Sequence, residues 1–377
     1  MSIQSEIARI SGKVSDALSA VAAKGVTVPG GAGVNELPGL IASITGGGGS
    51  TSDPLDPVEV YNTTRPSDWL SMPTPADNEM YLLFHIPDGV SSLLAFTVTC
   101  TGNYTVALGS VSDGAFVQMS STTVASGSKY ETELFADDYG NLTSDGHKQV
   151  MVKVIGTDIL TWAPSTHSKK TSPSDFAGWN IVEISCNLPS GTRVACGNGK
   201  GNLALKKLRY FAWYGKNAVT NMSYMFYYCY SLTAIPRLDT SAVTNTSNMF
   251  YGCNSMKAIP QLDTSAVTNT SNMFYGCNSM KAIPQLNTSA VRNMSNMFNG
   301  CNSLTAITLN NTVTGWAGYA VSLKDCSLGH AAIVAFFNSL PTITSAKAIT
   351  LTGNPGVSEL TDAEKAIATG KGWTLTL

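Results

Sequence analysis

The side chains of this 377-residue chain best suited to contact another molecule recur at a fixed step. Tyr251 and Tyr275 each follow a Met-Phe pair, Lys257 and Lys281 each precede an isoleucine by two, and Gln261 and Gln285 each follow a proline. Each pair is separated by 24 residues, so one structural unit presents all three types once. If neighbouring units lie about 4.8 Å apart, as adjacent strands do, these residues form files of phenol, ammonium and amide groups. Such files suit surface polysaccharide, because aromatic rings supply contact area at little entropic cost and amides bond sugar hydroxyls. Tyr251, Tyr275, Lys257, Lys281, Gln261 and Gln285 are therefore the expected receptor-binding residues.

Catalytic chemistry finds less support. Glu131 and Glu133 share a strand face and Asp137-Asp138 occupies a turn, whereas a glycosidase pair needs a set separation across a cleft. Asp239 and Asp263 recur in the repeats, but Asn287 stands at the next equivalent position. His85 lies in an apolar strand while His147 and His167 fall in loops; no two histidines have ligand spacing, and no CxxC or HExxH occurs. His330 opens a helix and reads as a cap. The expectation is a non-enzymatic protein with no catalytic residue, metal or cofactor.

Composition points the same way. Only 13% of residues are charged and the net charge is -2, which leaves no basic footprint for nucleic acid. No apolar run approaches the roughly 18 residues of a membrane span, so no membrane insertion is expected. Met1 to Ile10 lacks a charged stretch followed by an apolar one, so no secretory signal is expected. The cysteines are then expected to be reduced and buried rather than paired.

The elements that position these residues fall into five stretches. In residues 1–44, Ile3, Ile7, Ile10, Val14, Ala17 and Val21 follow a heptad, which predicts a helical coiled-coil stem for oligomerisation and attachment. Residues 45–57 are a Gly/Ser/Pro linker. Residues 58–200 hold at least seven short β-branched and aromatic runs between turn signals, which predict an antiparallel β-sandwich. Residues 201–314 carry the period. Val219, Met225, Phe226, Cys229 and Ile235 return at every step, and Asp239 to Leu262 is identical to Asp263 to Leu286. A fixed period of that length predicts a solenoid whose stacked rungs share one core. Residues 315–377 alternate strand and helix, with a capping box at Thr361 and Glu364, and predict an α/β cap. The expected fold class is thus mainly β and multidomain.

The unit Asn-x-Ser-x-Met-Phe-x-x-Cys-x-Ser-Leu/Met-x-x-Ile-Pro, from Val219 to about Thr314, resembles the BspA-type leucine-rich repeat of bacterial surface proteins and of phages infecting gut bacteria. Val14 to Val21 with Lys24 to Pro29 is similar to the start of siphophage tail-fibre and baseplate proteins. Leu360 to Ala368 with Lys371 to Leu375 is similar to a carboxy-terminal cap of the same proteins. These resemblances imply a virion tail adhesin, made in the host cytoplasm and assembled as a homotrimer. They further imply that it joins tail or baseplate proteins through its N-terminus and binds bacterial surface polysaccharide or protein through its repeats. A bacterial cell-surface adhesin and a glycan-degrading tail enzyme are the alternatives.

Overall fold

Short apolar runs bounded by Asn-Glu, Pro-Asp-Gly and Asp-Gly turns form the strands, and glycine and aspartate at positive φ close the hairpins: Gly89 (70°), Asp113 (52°), Gly114 (75°) and Gly146 (79°). The computed structural model describes residues 61, 63–140, 142–165, 180–197, 204–257, 259, 262–281, 286–307 and 320–377. Its strands are β1 (Glu79–Pro87), β2 (Ser91–Ser112), β3 (Ala115–Ala125), β4 (Lys129–Phe135), β5 (His147–Pro164), β6 (Ile181–Asn187), β7 (Arg193–Val194), β8 (Tyr210–Trp213) and β9 (Ala234–Arg237).

They belong to one nine-stranded sheet of order β3-β2-β5-β1-β6-β8-β9, with β4 also on β2 and β7 also on β5. β1 pairs antiparallel with both β5 and β6, whereas β6, β8 and β9 run parallel. This corrects the expectation of an independent antiparallel sandwich. The sheet is mixed and passes through β8 into the first repeat, because Tyr210-Phe211-Ala212-Trp213 is buried throughout and takes an interior place. β2 continues through a register irregularity near Gly102 (φ 71°). β5 is buried on both faces in its first half. Val150, Val152 and Val154 enter the main core, while Met151 is buried on the other face with Trp69, Tyr81 and Leu83.

A buried charge pins that second layer. Glu183 accepts hydrogen bonds from Arg65 Nε (2.9 Å) and Tyr61 Oη (2.8 Å). Burial pushes the Glu183 carboxyl upward and the Arg65 guanidinium opposes it.

The repeats contain little regular strand, and the expected solenoid of strand-built rungs is corrected accordingly. Among the described residues from 219 to 304 the strand is β9; successive copies otherwise join through single parallel bridges, Asn221–Asn245, Asn245–Asn269 and Asn269–Asn293, and through backbone bonds from turn residues, such as Thr246 N, Asn248 N, Phe250 N and Gly252 N to the carbonyls of Asn269, Ser271, Met273 and Tyr275. The reason lies in the backbone. Asn248, Asn272 and Asn296 (φ 57°, 53° and 53°) and Gly252, Gly276 and Gly300 (φ 70°, 69° and 73°) put two left-handed residues in each copy. Turns thus replace extended chain.

The coiled-coil stem expected in residues 1–44 (Ile3, Ile7, Ile10, Val14, Val21) lies outside the described residues, which themselves carry no coiled coil. Among the described residues α1 (His330–Ser339) and α2 (Asp362–Thr369) are short α-helices. α1 buries Ile333, Phe336 and Phe337, and the Thr361/Glu364 capping box opens α2. They accompany a parallel sheet of β10 (Val321–Ser322), β11 (Lys347–Thr350) and β12 (Trp373–Thr376). Pro54–Leu377 is one compact unit, with an apolar core running from Met80 to Trp373.

Candidate functional site

Each repeat is built to hold one side chain against its copy. The Asn at the bridge accepts the amide two residues on: Asn221 from Ser223 (2.9 Å), Asn245 from Ser247 (2.9 Å), Asn269 from Ser271 (3.1 Å) and Asn293 from Ser295 (3.1 Å). These turns aim the next apolar residues inward. Phe226, Phe250, Phe274 and Phe298 then stack with ring centroids 5.5, 5.5 and 6.0 Å apart and nearly parallel planes. Beside them the cysteines donate to carbonyls of the preceding copy, Cys253 to Phe226 (3.2 Å), Cys277 to Phe250 (3.1 Å) and Cys301 to Phe274 (3.0 Å). All eight cysteines are free and buried, and burial pushes the Cys277 thiol up to about 12. A thiol so placed is a packing group and a donor, not a nucleophile.

On the residue after each phenylalanine the same geometry produces a file of tyrosines. Tyr251 and Tyr275 stack 4.6 Å apart with planes inclined by 1°. Tyr227 continues the file at 4.9 Å from Tyr251, and it stops after Tyr275 because position 299 is asparagine. The structure therefore brings these two expected residues together, with one change of chemistry. Their facing ring surfaces cover each other, so the file presents edges and hydroxyls rather than open faces. Lys257 and Lys281 are exposed, and their backbones tie to neighbouring copies through Lys257 N to Thr233 O (3.4 Å) and Thr305 N to Lys281 O (3.1 Å). Gln261 and Gln285 lie outside the described residues.

The first copy adds a cluster that the periodic reading passes over. Where later copies have Asn248, Gly252 and Asn254, the first has Tyr224, Tyr228 and Tyr230. Tyr228 packs 4.5 Å from Tyr227, 5.3 Å from Tyr230 and 5.3 Å edge-on from Tyr251, and Tyr224 lies 5.3 Å from Tyr227. Tyr224 and Tyr230 are 37% and 36% exposed, and Lys206 Nζ stands 6.0 Å from the Tyr230 ring centre. Tyr224 and Tyr228 keep the left-handed backbone of the residues they replace, at φ 61° and 58°. That conformation costs an L-residue about 1–2 kcal/mol, and such strain concentrates at sites of function. The signal was present in the sequence as three departures from the repeat, all to the same residue. Partial burial, and then neighbouring phenols, push the Tyr227 and Tyr251 hydroxyls up to about 12, so they are neutral donors at neutral pH.

The repeat acids do other work. Asp239 and Asp263 each accept the amide and hydroxyl of the serine two residues on, at 3.0 and 2.7 Å and at 3.0 and 2.6 Å. Asn287 makes the same two bonds, at 3.0 and 2.7 Å, so the charge is dispensable there. Glu131 pairs with Lys129 (2.6 Å) and Glu133 accepts from Ser91 (2.6 Å).

Residues 207–321 match one family model. It is described as Mycoplasma protein of unknown function, DUF285. The matched stretch spans β8, β9 and the repeats, so it contains the whole tyrosine cluster. Comparison with curated proteins and with solved structures gave no match.

Proposed function

We propose that the tyrosine cluster of the first three repeats binds polysaccharide on a bacterial surface, and that the chain is a tail-fibre or baseplate adhesin of a phage virion. The observation that carries the binding role is the placement of Tyr224 and Tyr228 in left-handed backbone where sibling copies use Asn and Gly. Strain of that kind is retained where the side chain is needed. The cluster offers neutral phenol hydroxyls in a row for sugar hydroxyls, and contact area at Tyr224 and Tyr230. Exposed Lys257 and Lys281 on the same repeats favour an acidic polysaccharide. The virion assignment is supported by the terminal segments that resemble siphophage tail proteins.

The test restores the sibling residues. The double change Tyr224→Asn, Tyr228→Gly and, separately, Tyr251→Ala with Tyr275→Ala are assayed against a panel of purified capsular and cell-wall polysaccharides. We expect a folded protein whose binding falls at least tenfold in both, as for anchors at the centre of an interface. Unchanged binding in both would move the receptor site off the repeats. Mass spectrometry of purified particles checks the virion assignment, and its absence from particles would overturn that half alone.

A further inference from the structure

A second cluster joins one histidine to a carboxylate and a histidine some sixty residues further along the chain, and strand register brings them together. In the β1–β5 ladder His85 pairs with Gln149 and Pro87 with His147, so His85 and His147 are diagonal neighbours on the same face. Asp145 joins them from the turn closed by Gly146 N to Thr143 O (3.0 Å). Ligand atoms of His85, Asp145 and His147 all lie within 4.8 Å of one another. His147 Nδ1 is 3.1 Å from Asp145 Oδ1, at ion-pair distance but without hydrogen-bond geometry.

His85 is the informative member. It is 3% exposed, the Trp69 ring packs on it at 4.7 Å, and its Nε2 is buried with no hydrogen-bond partner. A buried polar nitrogen without a partner is destabilising unless something else engages it. We propose that His85, Asp145 and His147 form a binding site for a divalent transition metal of the zinc class. Two imidazoles and a carboxylate suit zinc, cobalt or nickel, whereas magnesium and calcium favour oxygen donors throughout. Zinc bonds of about 2.0–2.2 Å need only a modest contraction of the present spread.

The surroundings are those of a supported ligand set. Thr143 Oγ1 donates to Asp145 Oδ1 (2.5 Å), and Asp68 Oδ2 accepts the Ser144 amide (2.6 Å), holding the turn that carries Asp145. The half-exposed Asp145 carboxyl opens the site to solvent, which supplies an entry path and a fourth ligand as water. Bound metal would tie the 143–147 turn to β1 and thereby fix the Trp69 layer over the sheet.

The full-length, untagged chain is stripped with chelator, then titrated with zinc by calorimetry and with cobalt(II) followed by visible absorption. One equivalent of zinc, a tetrahedral cobalt spectrum and a raised Tm are expected. His147→Ala and Asp145→Asn should each weaken binding at least tenfold with an unchanged near-ultraviolet circular dichroism spectrum. His330→Ala, a histidine elsewhere in the fold, should bind as the parent does. Absence of saturable binding, or zinc affinity retained by both His147→Ala and Asp145→Asn, overturns the proposal.

Discussion

The sheet of β1 to β6 and the repeats that follow bury similar side chains by different means. In the sheet, continuous backbone pairing fixes the register: nine consecutive residues of β1 oppose nine of β5, and side chains fill whatever faces result. In the repeats, turn amides bond carbonyls of the next copy at a constant offset, as Thr246, Asn248, Phe250 and Gly252 do to Asn269, Ser271, Met273 and Tyr275, and like side chains stack on like at that register: Phe on Phe, Tyr on Tyr, a thiol on the preceding carbonyl. The sheet can therefore vary its residues position by position. A repeat must copy them, and a departure from the copy is conspicuous.

This contrast breaks first at its two anchors. Arg65→Ala leaves Glu183 buried without its cation and should cost about 3–5 kcal/mol in urea unfolding. Phe250→Ala should cost a similar 3–5 kcal/mol, because the ring is stacked on both sides by Phe226 and Phe274. Hydrogen exchange separates the two. Phe250→Ala should loosen the amides of the copies before and after it, residues 222–229 and 269–277, while leaving β1 and β5 protected. Uniform loss of protection across the unit would mean that the repeats are held by the sheet rather than by their own files.

The next effect sharpens the comparison within the repeats. Tyr228→Gly removes about 1–2 kcal/mol of left-handed strain and also removes half-buried ring contacts of like size, so stability should change by less than about 1 kcal/mol. Binding should nevertheless fall. A loss of several kcal/mol would show that the ring is a packing residue. Chemically, the repeat thiols should resist a disulfide reagent until the chain unfolds, since burial holds Cys253, Cys277 and Cys301 far above the ordinary thiol range.

The smallest effect lies at the carboxy-terminal end, in the contact of His330 Nε2 with Glu364 (3.0 Å). Hydrogen bonding to Glu364 holds the imidazole above its usual value, so its share of stability is present below about pH 6.5 and fades as pH rises through the raised value. Hydrogen bonding to His330 and Thr361 holds Glu364 down at about 2. Its share is present above about pH 4.3 and fades as pH falls. Exchange protection of α2 should therefore peak between these limits and lose that shape in Glu364→Gln. Both groups are partly open to solvent, which screens the contact, so the change is slight.

The sequence by itself determined which residues the repeats bury, where their turns lie and how α2 begins. Each of these depends on neighbours a few residues away or on a copy 24 residues on: the Asn side chain closing its own turn, Phe and Cys returning in phase, Thr361 meeting Glu364. Only the tertiary structure decided that no boundary separates the strands from the first repeat, since β8 could be placed only once β6 and β9 stood on either side of it. It also decided that stacked tyrosines hide their faces, which depends on the spacing of copies and not on their content. His85 and His147 met for the same kind of reason. Their partnership is a property of the β1–β5 register, and register is set by a whole ladder of hydrogen bonds and a buried face that no single residue announces.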